Sequence, residues 1–388
     1  KRQNIRRNDF EQFYSLYPGD KNKRNTENND CRIGADLQIE KLFGDKHLFT
    51  FGGSFITDHY ENKDKVASLI FNTISTTAIE ENRDISALYI QDEITFEKFF
   101  LQIGVRYDSP TDFDSHISPR IAIRHDISDN FRFRTSYGRA FRAPTLSELN
   151  WPEDAYSRGN ALLSEEDSEA FDFGMEGEIS KNLLIRANLF YQKTEDMIQW
   201  APTGPMTAWG TPKWQPDNIN KMEAEGLELE VYYAANENLS FVAAYTLTDA
   251  EQTNAEIVNF YTSRLIDVTR KARFVPKHRL NFSIKFKNIL KDFNLYVDAH
   301  YIDKQYNYYT DYSQMNFITG DVPTIEKTLP SYTLVDIKLI KEFNNSRIYL
   351  ALNNILDEDY STRFGTGLND LDYPMPGINV VFGMKVMY

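Results

Sequence analysis

The chain offers six histidines, at positions 47, 59, 116, 125, 278 and 300, and one cysteine, Cys31, and they show no metal-ligand spacing. HExxH, GxSxG and a phosphate loop are absent. Two acidic runs, Trp151-Pro152-Glu153-Asp154 and Asn369-Asp370-Leu371-Asp372, carry the oxygens that Ca²⁺ takes, but not at a calcium-loop spacing. They read as solvated carboxylates. No covalent chemistry, metal or cofactor is implied, so the chain does not read as an enzyme. His300, two residues from Asp298 in an alternating segment, reads as a polar face residue rather than a ligand.

The residues suited to contact with a ligand are aromatic. Trp151 and Tyr156 stand in one polar stretch, and Trp209 and Trp214 stand among Pro202, Gly204, Pro205, Gly210 and Pro212 in a second. Tyr308, Tyr309, Tyr312 and Phe317 stand in a third. Rigid rings give a bulky ligand a large contact area at low entropy cost. These eight form the candidate ligand-contact set. Trp200 and Tyr306, closer to the ends of alternating segments, fit a belt of rings at a membrane interface instead.

The elements that must hold these rings have a period of two. Leu101, Ile103, Val105 and Tyr107 alternate with Gln102, Gly104 and Arg106; Leu183, Ile185, Ala187, Leu189 and Tyr191 alternate with Leu184, Arg186, Asn188 and Phe190. The same pattern recurs through Val380, Phe382, Met384, Val386 and Tyr388 at the end. Aromatic residues make up 14% of the chain, yet the mean hydropathy is −0.52 and no apolar run is long enough for a spanning helix. Rings, alternation and low hydropathy together predict a transmembrane β-barrel, in which only alternate residues meet lipid. A net charge of −14 disfavours nucleic acid as a partner.

About sixteen strands are expected. Short connections at Gly44-Asp45, Ser128-Asp129-Asn130, Ser180-Lys181-Asn182, Ala235–Asn238 and Asn344-Asn345 alternate with long loops near 18–28, 62–79, 142–163, 200–216, 250–270, 309–328 and 357–374. Short turns on one side and long loops on the other match the periplasmic and outer sides of such a barrel. Arg106, Arg132, Arg134, Arg139 and Arg186 are then expected to face the lumen, pairing with Glu228 and Glu230 along the wall or holding a polar filling. Taken by register, however, Arg139 falls with Phe131 and Tyr137 on the lipid side, above the hydrocarbon band.

Tyr137-Gly138-Arg139-Ala140-Phe141-Arg142-Ala143-Pro144, followed by Glu148-Leu149, resembles the Y-G-x-x-F-R-A-P-x-x-x-E-L signature of TonB-dependent outer-membrane receptors. Gly159-Asn160-Ala161-Leu162-Leu163-Ser164-Glu165-Glu166-Asp167-Ser168 resembles the G-N-P-x-L-x-P-E-x-S block that follows, with Ala161 and Glu165 in place of the two prolines. Tyr89-Ile90-Gln91-Asp92-Glu93, Gly104-Val105-Arg106-Tyr107-Asp108 and Ser118-Pro119-Arg120 precede them in the family's order. Asn354-Ile355-Leu356-Asp357-Glu358-Asp359-Tyr360 and Pro374-Met375-Pro376-Gly377 resemble its ending.

The resemblance implies an antiparallel up-and-down barrel of about 22 strands around a plug. Residues 1–388 would supply the C-terminal barrel part, with about sixteen strands and no plug. It implies a cell outer membrane location, with contacts to outer-membrane lipid and lipopolysaccharide. It also implies uptake of a scarce bulky nutrient, a ferric siderophore or cobalamin, driven by the TonB complex through the plug. The moderate loop lengths tilt slightly toward cobalamin. A passive porin of sixteen strands is the alternative.

Overall fold

The computed structural model of the chain describes residues 2–14, 22–68, 73–154, 156–205, 213–262, 264–289, 292–362 and 372–386. The strands are β1 (Arg2–Tyr14), β2 (Asn22–Phe43), β3 (His47–Ser68), β4 (Thr73–Phe96), β5 (Phe99–Pro110), β6 (His116–Ser128) and β7 (Phe131–Arg142). After a short helix α1 (Leu146–Asn150) come β8 (Glu166–Ser180), β9 (Leu183–Ala201), β10 (Gln215–Asn236), β11 (Leu239–Asn259), β12 (Arg264–Lys271) and β13 (His278–Ile289). The last are β14 (Phe293–Ile302), β15 (Gln305–Thr310), β16 (Thr324–Leu329), β17 (Tyr332–Phe343), β18 (Ser346–Asn353) and β19 (Asn379–Val386).

Seventeen of these strands form one antiparallel sheet, and β15 and β16 form a separate ribbon. The registers run up and down in chain order, each strand beside the next. β12 and β13 both pair with β11, one above the other, so they fill a single position and the sheet has sixteen places. Interruptions recur beside it. β14 and β17 pair below, β15 and β16 pair above, and Asp303-Lys304 and Pro330-Ser331 lie between. Among the described residues no register joins β19 to β1, and β2 continues from Gly34 to Phe43 past the end of the β1 register.

The two faces of the sheet differ as the alternation predicts. Leu37, Phe51, Leu88, Ile103, Val105, Leu189, Phe382 and Met384 stand exposed on one face. On the other, Arg186 sits between Glu176 at 2.8 Å and Glu230 at 3.0 Å, and Asn188 reaches Glu228 at 3.2 Å. The expected pairing of Arg186 with Glu230 is present. Arg106 instead holds Asp108 on its own strand and reaches across β4 to Ser54 on β3. Arg139 forms an ion pair with Asp167 at 3.6 Å, and the β7–β8 ladder runs without a shift from Tyr137↔Phe171 through Arg139↔Glu169 to Phe141↔Asp167, so Arg139 keeps the register of Tyr137. His300 meets Asn281 on the polar face at 2.7 Å, and Asp298 accepts from Ser283.

The strands extend further than alternation alone indicates. The stretch 62–79, expected to be a loop, is mostly strand: β3 runs to Ser68 and β4 starts at Thr73. Likewise β11 and β12 occupy most of 250–270, whereas β15 and β16 only bracket 309–328, which stays largely loop. These upper segments are polar on both faces, so they carry no period-two signal even though their backbone ladders are complete. Twenty-two residues of β3 span about 70 Å, well beyond an apolar band of about 25 Å.

Candidate ligand-binding site beneath the loops

The connection between β7 and β8 is folded tightly onto the strand tops. Thr145 caps α1: its hydroxyl accepts from Glu148 N at 3.1 Å, while its own N–H donates to the Glu148 carboxylate at 2.7 Å. Arg142 donates to Glu166 at 2.6 Å and to Glu148 at 3.3 Å. Pro144 is fully buried, and the Arg83 guanidinium donates to its carbonyl at 2.7 Å. The same guanidinium holds Asp112 at 2.7 and 2.8 Å and lies over the Phe113 ring at 5.0 Å. Gly159 packs so closely that an added Cβ would fall 2.5 Å from the Leu149 carbonyl oxygen and the Trp151 nitrogen. Asn160 then donates to the Pro216 carbonyl at 3.0 Å. The F-R-A-P and G-N residues are thus the two halves of a clasp, which carries Trp151 to an edge-on contact with Trp200, 5.7 Å between ring centres.

Trp200 lines a hollow of about 440 Å³ at the end of β9 opposite the short turns. Trp214, Tyr308, Tyr309 and Tyr312 line it too, with Asn220, Asn254, Glu256 and Arg273. Asn254 and Glu256 lie on the face of β11 that also carries Thr246, the cross-strand neighbour of Glu228, so the hollow opens on the polar face. Glu256 is held by Arg270 through two contacts of 3.0 Å. Arg270 in turn lies over the nearly buried Tyr308 ring at 5.1 Å. Partial burial pushes the Tyr312 phenol above its ordinary range.

Of the eight predicted contact residues, four line the hollow: Trp214, Tyr308, Tyr309 and Tyr312. Trp151 supports it from behind through Trp200. Tyr156 accepts at its carbonyl from Trp214 N at 2.7 Å, with its own ring half exposed. Phe317 is 74% exposed and outside the hollow; its carbonyl accepts from the Tyr261 hydroxyl. Trp209 lies outside the described residues. Trp200, expected in an interfacial belt, turns instead into the hollow, because β9 runs on to Ala201 and pairs Trp200 with Pro216. The polar members Asn220, Asn254 and Arg273 have no motif to announce them. The acidic run 151–154 is used internally: Glu153 pairs with Lys213 at 2.7 Å, and Asp154 accepts from Tyr156 and Ser157. Among the described residues no metal-ligating cluster gathers.

The model of the TonB dependent receptor-like β-barrel matches residues 2–355. The chain belongs to the TonB-dependent receptor family. It is an outer-membrane β-barrel chain, with an exposed apolar face and a charged one. The family is one of receptors and transporters. Among curated relatives, the vitamin B12 transporter BtuB of Vibrio vulnificus is 24% identical over 76% of this chain and 41% of its own length. The iron-regulated outer membrane virulence protein of Vibrio cholerae is 24% identical over 81% and 46%. The chain therefore spans less than half the length of these relatives. Among solved structures, the ferric enterobactin receptor PfeA of Pseudomonas aeruginosa superposes with a TM-score of 0.68 at 17% identity, over 94% of this chain and 58% of that one. The copper transporter OprC gives 0.68 at 14% identity, over 93% and 59%. At these identities the structures speak for the fold.

Proposed function

We propose that residues 1–388 are barrel wall and loops of an active-uptake receptor, which captures a scarce bulky nutrient complex in the hollow beneath its loops. The observation that carries this reading is the hollow itself: loop and strand-top aromatics converge with buried polar groups on the lumenal face of a receptor-family barrel. Ferric siderophores and cobalamin are the cargo classes, in keeping with the names of the relatives. Release into the periplasm would draw on the inner-membrane TonB complex through a plug seated against the charged wall. Lipid and lipopolysaccharide would surround the outer face. The chain spans less than half the length of the curated relatives it matches, which weighs against a porin closed by these sixteen strands alone.

The test is uptake by cells carrying the full-length protein, with and without TonB. Accumulation of a bulky iron or cobalt complex that vanishes without TonB is the expected result. Uptake that persists without TonB, together with a large constant single-channel conductance of the purified full-length protein, would establish a passive pore instead.

A further inference from the structure

Three polar atoms at the hollow lack partners. The amide oxygens of Asn220 and Asn254 and Nε of Arg273 are buried without a hydrogen bond. Asn220 is 5% exposed and Asn254 6%. Asn220 does spend its amide N–H on Gln199, but its oxygen has nothing. Leaving such groups dry and unpaired in a folded protein is costly, and a ligand that pairs them removes that cost.

The charge balance of the site is uneven. Glu256 is taken by both arms of Arg270, and Glu326 stands across from Tyr308 on the next strand, acting on Arg270. Arg273, in the connection between β12 and β13, has no carboxylate within ion-pair distance among the described residues. Burial works against its charge, and Glu256 offsets that only from a distance. A half-buried guanidinium facing a cavity beside aromatic rings is built to receive an anion, since it offers a planar set of donors and is weakly hydrated.

Resting on the uptake reading above, we infer that the hollow selects an anionic cargo that also donates hydrogen bonds. Arg273 takes the negative group, and the Asn220 and Asn254 carbonyls take amide or hydroxyl protons. The rings of Trp200, Trp214 and Tyr308 cover the apolar remainder. This favours a negatively charged metal chelate, such as a catecholate or carboxylate complex, over the uncharged cobalamins. The selection is electrostatic, because a neutral cargo would leave the Arg273 charge buried and unmatched.

The test is tryptophan quenching of the detergent-solubilised full-length protein, titrated with ferric tris-catecholate, ferric citrate and cyanocobalamin. At least one of the two anionic chelates should bind, with an affinity that falls as salt rises. Arg273→Gln should weaken that chelate roughly tenfold to hundredfold. Arg273→Lys, which keeps the charge and guards against a folding defect, should restore most of the loss. Asn254→Leu should weaken the chelate severalfold without changing the salt dependence. Tighter binding of cyanocobalamin than of either chelate, no binding of either chelate, or equal affinity in wild type and Arg273→Gln would each overturn the inference. The transport reading fails separately: it falls if a bound chelate is never accumulated in a TonB-dependent way, and it stands if cyanocobalamin is the cargo that accumulates.

Discussion

Replacing Arg83 by methionine tests whether the clasp is held from below. The Arg83 side chain is 4% exposed, and it joins strand β4 to two separate loops, through Asp112 and through the Pro144 carbonyl. A hydrogen bond involving a charged partner contributes about 1.5–3 kcal/mol, and a buried carbonyl left unpaired loses that in full. Asp112 is 27% exposed and can regain water, so its share is discounted to about 1 kcal/mol. The sum is about 3 kcal/mol, taken from the local stability of α1 rather than from the sheet. Local opening sets amide exchange in such a segment, and 3 kcal/mol corresponds to roughly a hundredfold in rate. The reporters are Leu149 N, bonded to the Thr145 carbonyl at 3.1 Å, and Asn160 N, bonded to the Glu148 carbonyl at 3.0 Å. Hydrogen exchange of the full-length protein should show both amides accelerated in Arg83→Met, with β8 and β9 amides unchanged. Protection at Leu149 and Asn160 within about threefold of wild type would refute the reasoning, since two decades are expected.

Gly159→Ala should force Leu149 and Trp151 apart at a cost of about 1–3 kcal/mol, seen as a shift in tryptophan emission from the Trp151–Trp200 pair. Arg186→Gln should matter little, less than about 1 kcal/mol for each of its two wall pairs, and a fall in unfolding temperature as large as that of a core cavity would contradict the view of these pairs as solvated. Lys213 holds the Glu153 carboxyl below its usual range, so their contact contributes fully above the ordinary glutamate value of about 4.3 and is lost as pH falls through the lowered one. Acid titration should therefore leave Trp214 emission flat down to about pH 4 and change it below, and Lys213→Met should abolish that step.

The regular part of the sheet was legible because an apolar face and a charged face impose a strict alternation. Val105 beside Arg106, or Leu189 beside Asn188, states its face without any neighbour being known. The upper strands were not legible, since Glu61, Asn62, Lys63 and Asp64 are polar on both faces and only their ladder to β4 reveals a strand. Within the site, the rings were visible as a composition of the loops. Asn220, Asn254 and Arg273 were not, because their meaning lies in what their neighbours fail to offer them. Gly159 and Asn160 were legible as a motif, while their role as half of a clasp needed the Leu149 backbone and the Pro216 carbonyl in place.

The aligned interruptions of β12/β13, β14/β15 and β16/β17 have a mechanical side. Below the breaks these strands share the ladders of the wall; above them, β12 is laddered to β11, and β15 to β16. Across that level, β11 is the strand of the group that runs through without a gap, from Leu239 to Asn259. The ribbon above it is tacked down by isolated contacts such as Phe274 N to the Tyr306 carbonyl. A force applied to Tyr308 or Tyr309 is shared between the junction near Lys304 and Ser331 and the bonds at the far end of the ribbon, where Val322 N donates to the Val258 carbonyl and Phe260 N to the Gly320 carbonyl. The support felt by a molecule held among those rings is therefore that of a beam tied at both ends, one in the wall and one at the top of β11.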